Sequence, residues 1–376
     1  MYEQVLTDKC FFMLYATVTT MAIIASCYLL FRRGNAFAAD ITTPARLRRW
    51  TAVLFAVIAL SHVWYMPIAF LKSSEDIQLY YHVAGLLDSM TFFPSAIIVL
   101  IAMLQDRNRP LWPVAVMVAP LAVALALNIA THNEALLIIA YAYFLLLTIG
   151  LAIYMVRALR QYSRWLRDNY ADLEHKEVWQ SFVVLATFLL VFSTYAIDNE
   201  SLVYTYAIQV IAIMHICYVL WRVETLSDLS IHQPQCLTAE ESATTEAMQG
   251  EDEDITQNIH DKMGSLLQQH CIDTQLYLQH DLTLSQLAKA IGTNRFYLSQ
   301  YFSHHGMTYN AYINDLRINH FVSLYREAIA AQRSFTAQQL SYESGYRSYS
   351  TFSLAFKQRM GQSVTAWTHE TLPHDS

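Results

Sequence analysis

Long apolar runs alternate with short polar stretches over residues 1–222 of the chain. A helix needs about 20 apolar residues to cross the roughly 30 Å hydrocarbon core of a bilayer. Seven runs reach this length, and we interpret each of them as a transmembrane helix: Phe11–Phe31, Trp50–Leu71, His82–Leu104, Leu111–Ala130, Ala135–Val156, Trp179–Ile197 and Leu202–Trp221. The pattern therefore predicts a seven-helix transmembrane bundle in residues 1–222.

Residues 255–370 show a helical period and no strand alternation. A short apolar helix beginning near Asp281 or Thr283 is followed by a turn at Gly292 and by a second helix that Asn294 can cap. The pattern recurs about 53 residues later, with Gly345 at the turn. This order predicts two helix-turn-helix units, and Tyr309–Ala330 between them is expected to form a connecting helix.

An acidic stretch separates the two halves of the chain. Glu224–Asp254 holds nine acidic residues and no Lys or Arg, which favours a flexible tether over a packed domain. The predicted organisation is a membrane domain at 1–222, an acidic linker at 223–254 and a helical domain at 255–370. The fold class is therefore all-α.

The composition agrees with this division. Of 376 residues, 55% are hydrophobic and 15% are charged, whereas soluble domains average about 45–50% and about 25%. These values exclude a single soluble domain, a disordered chain and a secreted disulfide scaffold. The five cysteines are scattered without a CxxC motif, so no disulfide, metal site or cofactor is expected. No sequence motif of a membrane enzyme is evident, and no catalytic residue is expected.

The positive charges in the loops predict the orientation in the membrane. Thirteen Lys and Arg residues fall on one side of the seven runs, and only Lys9 and Lys72 fall on the other. Positively charged loops remain in the cytoplasm. The amino terminus is therefore expected outside, and the C-terminal domain is expected in the cytoplasm.

Several polar residues lie in or near the outer halves of the apolar runs, where polar side chains are costly and are often functional. They are candidates for a ligand pocket open to the outer face: His62, Tyr65, Asp88, Asn128, Tyr141 and Tyr204. In a simpler interpretation, the tyrosines form an interfacial belt and Asp88 pairs with His62 between helices. Lipid is the expected surrounding, and a small molecule or a membrane-associated signal is the candidate stimulus.

Residues 282–367 resemble the DNA-binding domain of the AraC/XylS family. The first part of the resemblance lies in Leu287-Ala288, Ile291-Gly292-Thr293-Asn294, Tyr297-Leu298-Ser299, Phe302, Gly306-Met307-Thr308, Tyr312-Ile313-Asn314 and Leu316-Arg317-Ile318. The second lies in Gly345-Tyr346, Phe352, Phe356-Lys357, Gly361 and Trp367. Val364, Ser341, Phe321 and Tyr325 depart from the family pattern at packing positions. The resemblance implies sequence-specific binding of double-stranded DNA and a prokaryotic cytoplasmic membrane, but it assigns no family to the membrane half.

The outer faces of the second helix in each unit supply the candidate base readers. They are Asn294, Arg295, Ser299 and Gln300 in the first unit, and Arg347, Ser348, Ser350, Thr351 and Ser353 in the second. Arg suits guanine, while Asn and Gln suit adenine. Lys357 and Arg359 are expected to contact phosphate. A connecting helix of about 20 residues spans ~30 Å, close to the roughly 34 Å turn of B-DNA.

The charge of the C-terminal half is nearly neutral, with nine Lys and Arg against eight Asp and Glu in residues 255–376. Because DNA affinity depends on phosphate neutralisation, we expect a homodimer on DNA. The sequence predicts a membrane-bound one-component transcription regulator that is not an enzyme, controlled through dimer geometry or through proteolytic release at the linker. The alternatives are a seven-helix transporter or membrane enzyme with a regulatory tail, and a helix-turn-helix pair that binds protein.

Overall fold

The computed structural model describes residues 8–32, 34–38, 41–71, 73–131, 134–184, 186–187, 202–229 and 262–371. The chain is all-helical, with 78% of residues in helices and no strands in the described part. The described residues of Met1–Tyr162 and His175–Gln233 form one compact unit. Those of Ser163–Glu174 and Pro234–Ser376 form a second compact unit.

The first unit is built from long apolar helices. We label the helices for which complete bounds are described α1 (Lys9–Phe31), α2 (Ala45–Tyr65), α3 (Ser74–Met103), α4 (Trp112–Thr131), α5 (Glu134–Asn169) and α6 (Leu202–Thr225). The apolar run predicted as Trp50–Leu71 divides in the structure. A 3₁₀ helix, Met66–Phe70, follows α2, since Pro67 has no backbone N–H to continue the α-helical pattern.

Four helices of the described part are long and apolar enough to cross a membrane. They are Lys9–Phe31, Val83–Met103, Ile138–Asn169 and Tyr206–Thr225, and Trp112–Asn128 is a shorter apolar helix. Helix α2 begins with three arginines in its first turn, which shortens its apolar part. The run Trp179–Ile197 is helical at 179–184 and lies largely outside the described residues.

Small residues bring α1 and α2 together. Ala22, Ala25 and Ser26 are buried on α1, and the Ser26 hydroxyl donates to the Ala52 carbonyl of α2 at 2.8 Å. Such close backbone approach is typical of helix packing in lipid. Large side chains on α5 are exposed instead, including Ile138 and Leu146 at 70% each, and this apolar surface is compatible with contact to lipid.

The second unit contains short helices around one long helix. They are α7 (Leu284–Ala290), α8 (Arg295–His304), α9 (Tyr309–Ala330), α10 (Ala337–Glu343), α11 (Tyr349–Met360) and α12 (Val364–Thr371). They follow a helical stretch at 262–267 and a π turn at Gln268–Ile272. We call α7 with α8 the first helix pair and α10 with α11 the second helix pair.

Helix α9 joins two hydrophobic cores. Its first half contributes Tyr309 and Ile313 to a core beneath the first helix pair, where Cys271 is also fully buried. Its second half contributes Phe321 and Tyr325 to a core beneath the second pair. The four residues that depart from the AraC/XylS pattern all belong to or border this second core. Phe321, Tyr325 and Val364 are buried in it, and the buried Ser341 hydroxyl donates to the Gln338 carbonyl at 2.7 Å.

Helix α5 extends well beyond the apolar run that predicts it. The run ends at Val156, whereas the helix continues to Asn169. The division between the two units falls within this helix, after Tyr162. The residues that follow Tyr162, up to Glu174, therefore pack with the C-terminal helices. Of the predicted linker, residues up to 229 are described and the remainder lies outside the described residues.

Candidate nucleic-acid interface

Each helix of the first pair begins at a side-chain cap. Thr283 accepts from the backbone N–H of Gln286, and the Gln286 side chain in turn accepts from the N–H of Thr283, which forms a capping box at α7. Asn294 caps α8 by accepting from the N–H of Tyr297 at 2.9 Å. The predicted capping role of Asn294 is confirmed, and its carboxamide oxygen is therefore already engaged.

The second helix pair repeats this arrangement. Thr336 caps α10 by accepting from the N–H of Gln339 at 3.1 Å, so a Thr cap and a Gln three residues later begin both seven-residue helices. Ser348 caps α11 by accepting from the N–H of Thr351 at 3.3 Å. The same local sequence rule therefore sets the start of all four helices.

Both turns between paired helices use the same glycine motif. Gly292 and Gly345 have φ values of +71° and +88°, a region that L-residues other than glycine rarely occupy. The N–H of the residue after each glycine donates back to a carbonyl five residues earlier, from Thr293 to Ala288 at 2.9 Å and from Tyr346 to Ser341 at 3.2 Å. These are Schellman motifs, and they give the two pairs matching turns.

The outer face of α8 carries the candidate side chains of the first pair. Arg295 and Gln300 are exposed, and Ser299 is half-buried. Phe296 lies beside Arg295 with 56% of its surface exposed. An exposed aromatic ring among polar side chains can contact a thymine methyl group, so the face combines hydrogen-bonding and apolar groups.

The outer face of α11 places its candidates on the first two turns. Ser350 is exposed, Thr351 and Ser353 are half-buried, and Lys357 is exposed towards the end of the helix. Leu354 is 61% exposed on this helix and was not among the sequence candidates. Its only signal in the sequence is a large apolar residue within a run of serines and threonines.

A stretch that we call the bridging segment, residues 276–281, lies between the two helix pairs. The buried Arg317 of α9 donates through Nε to the Tyr277 carbonyl and through an Nη to the Gln279 carbonyl, both at 2.8 Å. Burial lowers the pKa of Arg317, and the ring of Tyr346 lies 5.4 Å from its guanidinium carbon. The bridging segment also closes against Gly345, where a Cβ atom would lie 2.8 Å from the Cα of Leu278.

Two of the candidate arginines are engaged in ion pairs. Arg347 Nη1 lies 3.1 Å from Asp281 Oδ2, and Arg359 Nε lies 2.6 Å from Asp315 Oδ1. All four side chains are at least one-third exposed, and exposed pairs contribute only about 0–1 kcal/mol. A phosphate group can therefore replace either carboxylate at small cost.

The membrane candidates lie in the first unit. The Asp88 carboxylate is buried and hydrogen-bonds with Tyr65, while the His62 ring contacts Gln209 Oε1 at 3.2 Å. His62 is therefore bonded to α6 and not to Asp88. Asn128 is buried on α4. The side chains of Tyr141 and Tyr204 lie outside the described part of the chain.

Metal ligation has no support among the residues that the structure describes, where no group of three or more His, Cys, Asp or Glu side chains is placed to hold an ion. Cys271 is instead a core residue, and burial raises the pKa of its thiol to about 11. The second unit exposes cations, amides and hydroxyls on the two similar helices α8 and α11.

Comparison with known proteins gives one family. Residues 287–370 match the model of a helix-turn-helix domain of the AraC type. No curated protein and no solved structure matches the chain. The matched residues run from the middle of α7 into α12, so they include the second half of α7, all of α8 and the whole second helix pair. The match supports a DNA-binding transcription regulator of the AraC type.

Proposed function

We propose that the chain is a membrane-bound one-component transcription regulator that reads DNA with two helix-turn-helix units. The observation that carries this proposal is the repetition of one capped and glycine-turned helix pair at both ends of α9, within residues that match a helix-turn-helix domain. In such units the second helix enters the major groove and its N-terminal residues contact base edges. Helices α8 and α11 are then the two recognition helices.

The length of α9 suits simultaneous binding by both units. Its 22 residues span about 33 Å at 1.5 Å per residue, and one turn of B-DNA is about 34 Å. The units would enter successive major grooves on one side of the duplex. The hydrogen bonds from Arg317 to the bridging segment hold the two helix pairs in a fixed arrangement. Little conformational entropy is therefore lost when both pairs bind DNA.

The sequence candidates divide by their local roles. The candidates for base contacts are Arg295, Ser299 and Gln300 on α8, and Ser350, Thr351 and Ser353 on α11. Asn294 and Ser348 serve as caps and would position the helices. Lys357 and Arg359 follow α11 toward its C-terminal end and suit phosphate contacts, while Arg347 lies just before the Ser348 cap.

Because the DNA-binding domain is nearly neutral, one domain should bind DNA weakly. The proposal therefore includes a second copy of the chain on the same DNA. The Arg347–Asp281 and Arg359–Asp315 pairs reduce the positive field further in the free protein. A homodimer held in one membrane raises the effective concentration of the second DNA-binding domain. Weak binding by one domain and tight binding by two would couple transcription to the state of the dimer.

The membrane half is proposed as the sensor. Four helices of the described residues are long and apolar enough to span a membrane, which supports this role. The distribution of Lys and Arg around the seven apolar runs favours an N-terminus outside. Residues His62, Tyr65, Asp88 and Asn128 would form the polar part of a pocket near the outer face of the cytoplasmic membrane. A ligand that binds one arrangement of the helices better than another would increase the population of that arrangement in the dimer.

The experiment is a selection of binding sites from random duplex DNA by the full-length chain in lipid nanodiscs. An enriched motif in two parts, about one helical turn apart, supports the proposal. The double variant Arg295→Ala with Arg347→Ala should lose this enrichment. The matched control, Lys262→Ala with Arg326→Ala, removes the same charge outside both helix pairs and should retain it. A folded, dimeric chain without enrichment contradicts the proposal.

A second function is favoured by one observation, the buried carboxylate of Asp88 in an apolar helix. Such residues occur on the substrate pathways of transporters. A transporter with a regulatory DNA-binding tail would show substrate flux in proteoliposomes, and Asp88→Asn would abolish it. A sensor would show no flux, and Asp88→Asn would alter transcription while the affinity for DNA stayed the same.

A further inference from the structure

The end of α5 and the residues after it are part of the DNA-binding unit. Tyr162 donates from its hydroxyl to the carbonyl of Lys176 at 3.0 Å, which closes the chain between them into a loop. Both of these residues belong to the first unit, whereas Ser163–Glu174 between them belongs to the second. The tip of this loop, residues 170–174, contacts both helix pairs.

The backbone of the tip is held along the first helix pair and α9. Tyr170 and Thr283 form an antiparallel bridge, and the N–H of Ala171 donates to the Leu282 carbonyl at 3.2 Å. The Asn310 carboxamide of α9 donates to the carbonyls of Tyr170 and Ala171 at 3.3 and 2.6 Å. Ala171 is only 2% exposed within the core beneath the first pair, so the tip is packed and not simply adjacent.

A side chain of the tip contacts the first turn of α11, and another is affected by the charge at the start of α8. The Arg295 charge at the start of α8 acts on Tyr170, although burial is the larger effect and raises the Tyr170 pKa to about 12. At the start of α11, Thr351 donates to the Glu174 carboxylate at 3.0 Å. The N–H of Glu174 bonds to Asp172 Oδ1 at 3.0 Å, which fixes the turn that presents this carboxylate.

Glu174 occupies a position that suits a DNA phosphate. A helix N-terminus attracts negative charge, and the carboxylate accepts from a hydroxyl on the first turn of a 12-residue helix. The Asp172 charge acts on the buried Arg317, where it opposes part of the lowering of the arginine pKa by burial. The tip therefore supplies two carboxylates to the DNA-binding unit, the Glu174 group at the start of α11 and the buried Asp172 group that acts on Arg317 of α9.

We propose that residues 170–174 compete with DNA for the first turn of α11, so that the chain binds its DNA site only after this tip has left it. The inference rests on the proposed function, because that turn must face bases for the competition to exist. It also supplies a route for the signal. The tip continues directly from α5, so a shift of α5 would pull the tip from the DNA-binding unit without a dimer rearrangement or a proteolytic cut.

Release of the tip is tested with Asn310→Ala, which removes both hydrogen bonds from α9 and leaves every proposed base reader unchanged. The loss of these bonds should tighten binding of the selected duplex by the full-length chain in nanodiscs about tenfold. Glu174→Ala should act in the same direction. The controls are Asn319→Ala, the same change at an exposed site of α9, and Glu177→Ala, the same charge change three residues along. Unchanged or weaker binding by both release variants would overturn the inference.

A reversible lock tests the same point without relying on folding of a released form. Residues opposed in an antiparallel bridge have Cα atoms about 4.5–5.5 Å apart, which is within the range of a disulfide. Tyr170→Cys with Thr283→Cys should therefore form one. The oxidised full-length chain should bind the duplex at least tenfold more weakly than the same sample after reduction. Each single-cysteine variant should show no such difference.

The outcomes separate this inference from the proposed function. Equal duplex binding by the oxidised and reduced lock would overturn the inference and leave the proposed function standing. Absence of binding by the wild type, the release variants and the reduced lock alike would overturn both. Hydrogen exchange gives a readout without substitutions. Addition of the duplex should increase exchange at the amide of Ala171, and increased protection there would contradict release.

Discussion

Arg347, at the start of the second recognition helix, forms a 3.1 Å ion pair with Asp281 of the bridging segment. Asp281 precedes the first helix pair in the chain and Arg347 belongs to the second, so the ion pair helps to orient one helix pair against the other. It also holds a candidate DNA-contacting cation against a carboxylate. The DNA-free protein thus keeps part of its positive charge neutralised by its own acids, in agreement with the nearly neutral charge of residues 255–376.

Asp281→Asn is expected to strengthen DNA binding. The variant removes the carboxylate that faces Arg347, and since Asn tolerates the positive φ of this position, the backbone should keep its shape. Affinity should rise by up to about fivefold, and the slope of log affinity against log salt should steepen by about 1. Titration of a labelled duplex at several salt concentrations measures both. Asp273→Asn is the control with the same charge change, and an equal gain there would show that net charge alone is responsible.

Gly345→Ala is expected to disrupt the second helix pair. A Cβ at this position meets the Leu278 backbone at 2.8 Å, and φ is +88°. Strain and overlap together should reduce the free energy of unfolding by roughly 3 kcal/mol or more. Gly292→Ala is the matched control, because its φ is +71° but no atom lies within 4 Å. That variant should lose only about 1–2 kcal/mol. Hydrogen exchange of core amides reports both values, and equal losses would contradict the close approach.

Arg317→Lys is expected to loosen the connection between the two helix pairs. The ammonium group cannot reproduce the two hydrogen bonds from the planar guanidinium to Tyr277 and Gln279. A buried carbonyl left without a partner costs about 1–3 kcal/mol, and thermal unfolding should register a loss of that size. Arg326→Lys, an exposed substitution on the same helix, should change stability by less than about 0.5 kcal/mol. A stable Arg317→Lys protein would show that the bridging segment is held by other contacts.

Gln300→Ala and Lys357→Ala are expected to separate base reading from phosphate binding. Loss of the Gln300 amide should cost about 1–3 kcal/mol at one base position and relax specificity there. Loss of the Lys357 charge should weaken all sequences alike and reduce the salt slope by about 1. Binding to a panel of single-base variants of the selected site distinguishes the two patterns. A uniform loss for Gln300→Ala would remove that residue from the base readers.

Much of the C-terminal unit could be predicted from the sequence because its boundaries are chemical signals. Asn294 caps a helix, and Gly292 and Gly345 take a backbone conformation that few other residues accept. The repeated spacing of these residues predicts the two similar helix pairs. The apolar runs likewise predict long helices, and the helices found at Lys9–Phe31 and Leu202–Thr225 lie close to the first and last runs.

The contacts between elements could not be predicted in this way. Arg317 donates to backbone carbonyls. Every residue has a backbone carbonyl, so the sequence does not show which residues accept these hydrogen bonds. Helix α5 continues past its apolar run because arginine is a good helix former, whereas hydropathy measures only the part that suits lipid. Nothing in the composition of residues 170–174 indicates that Ala171 enters a distant core or that Glu174 reaches Thr351.

The most direct measurement of the central proposal is binding of the selected duplex to sealed membrane vesicles that contain the full-length chain. Inside-out vesicles expose the cytoplasmic face and should capture the duplex, while right-side-out vesicles should capture it only after detergent opens them. Vesicles without the chain, and a scrambled duplex, provide the background. Capture by intact right-side-out vesicles would place the DNA-binding unit on the wrong side of the membrane. Absence of capture by either kind, even with detergent, would contradict a membrane-bound DNA-binding regulator.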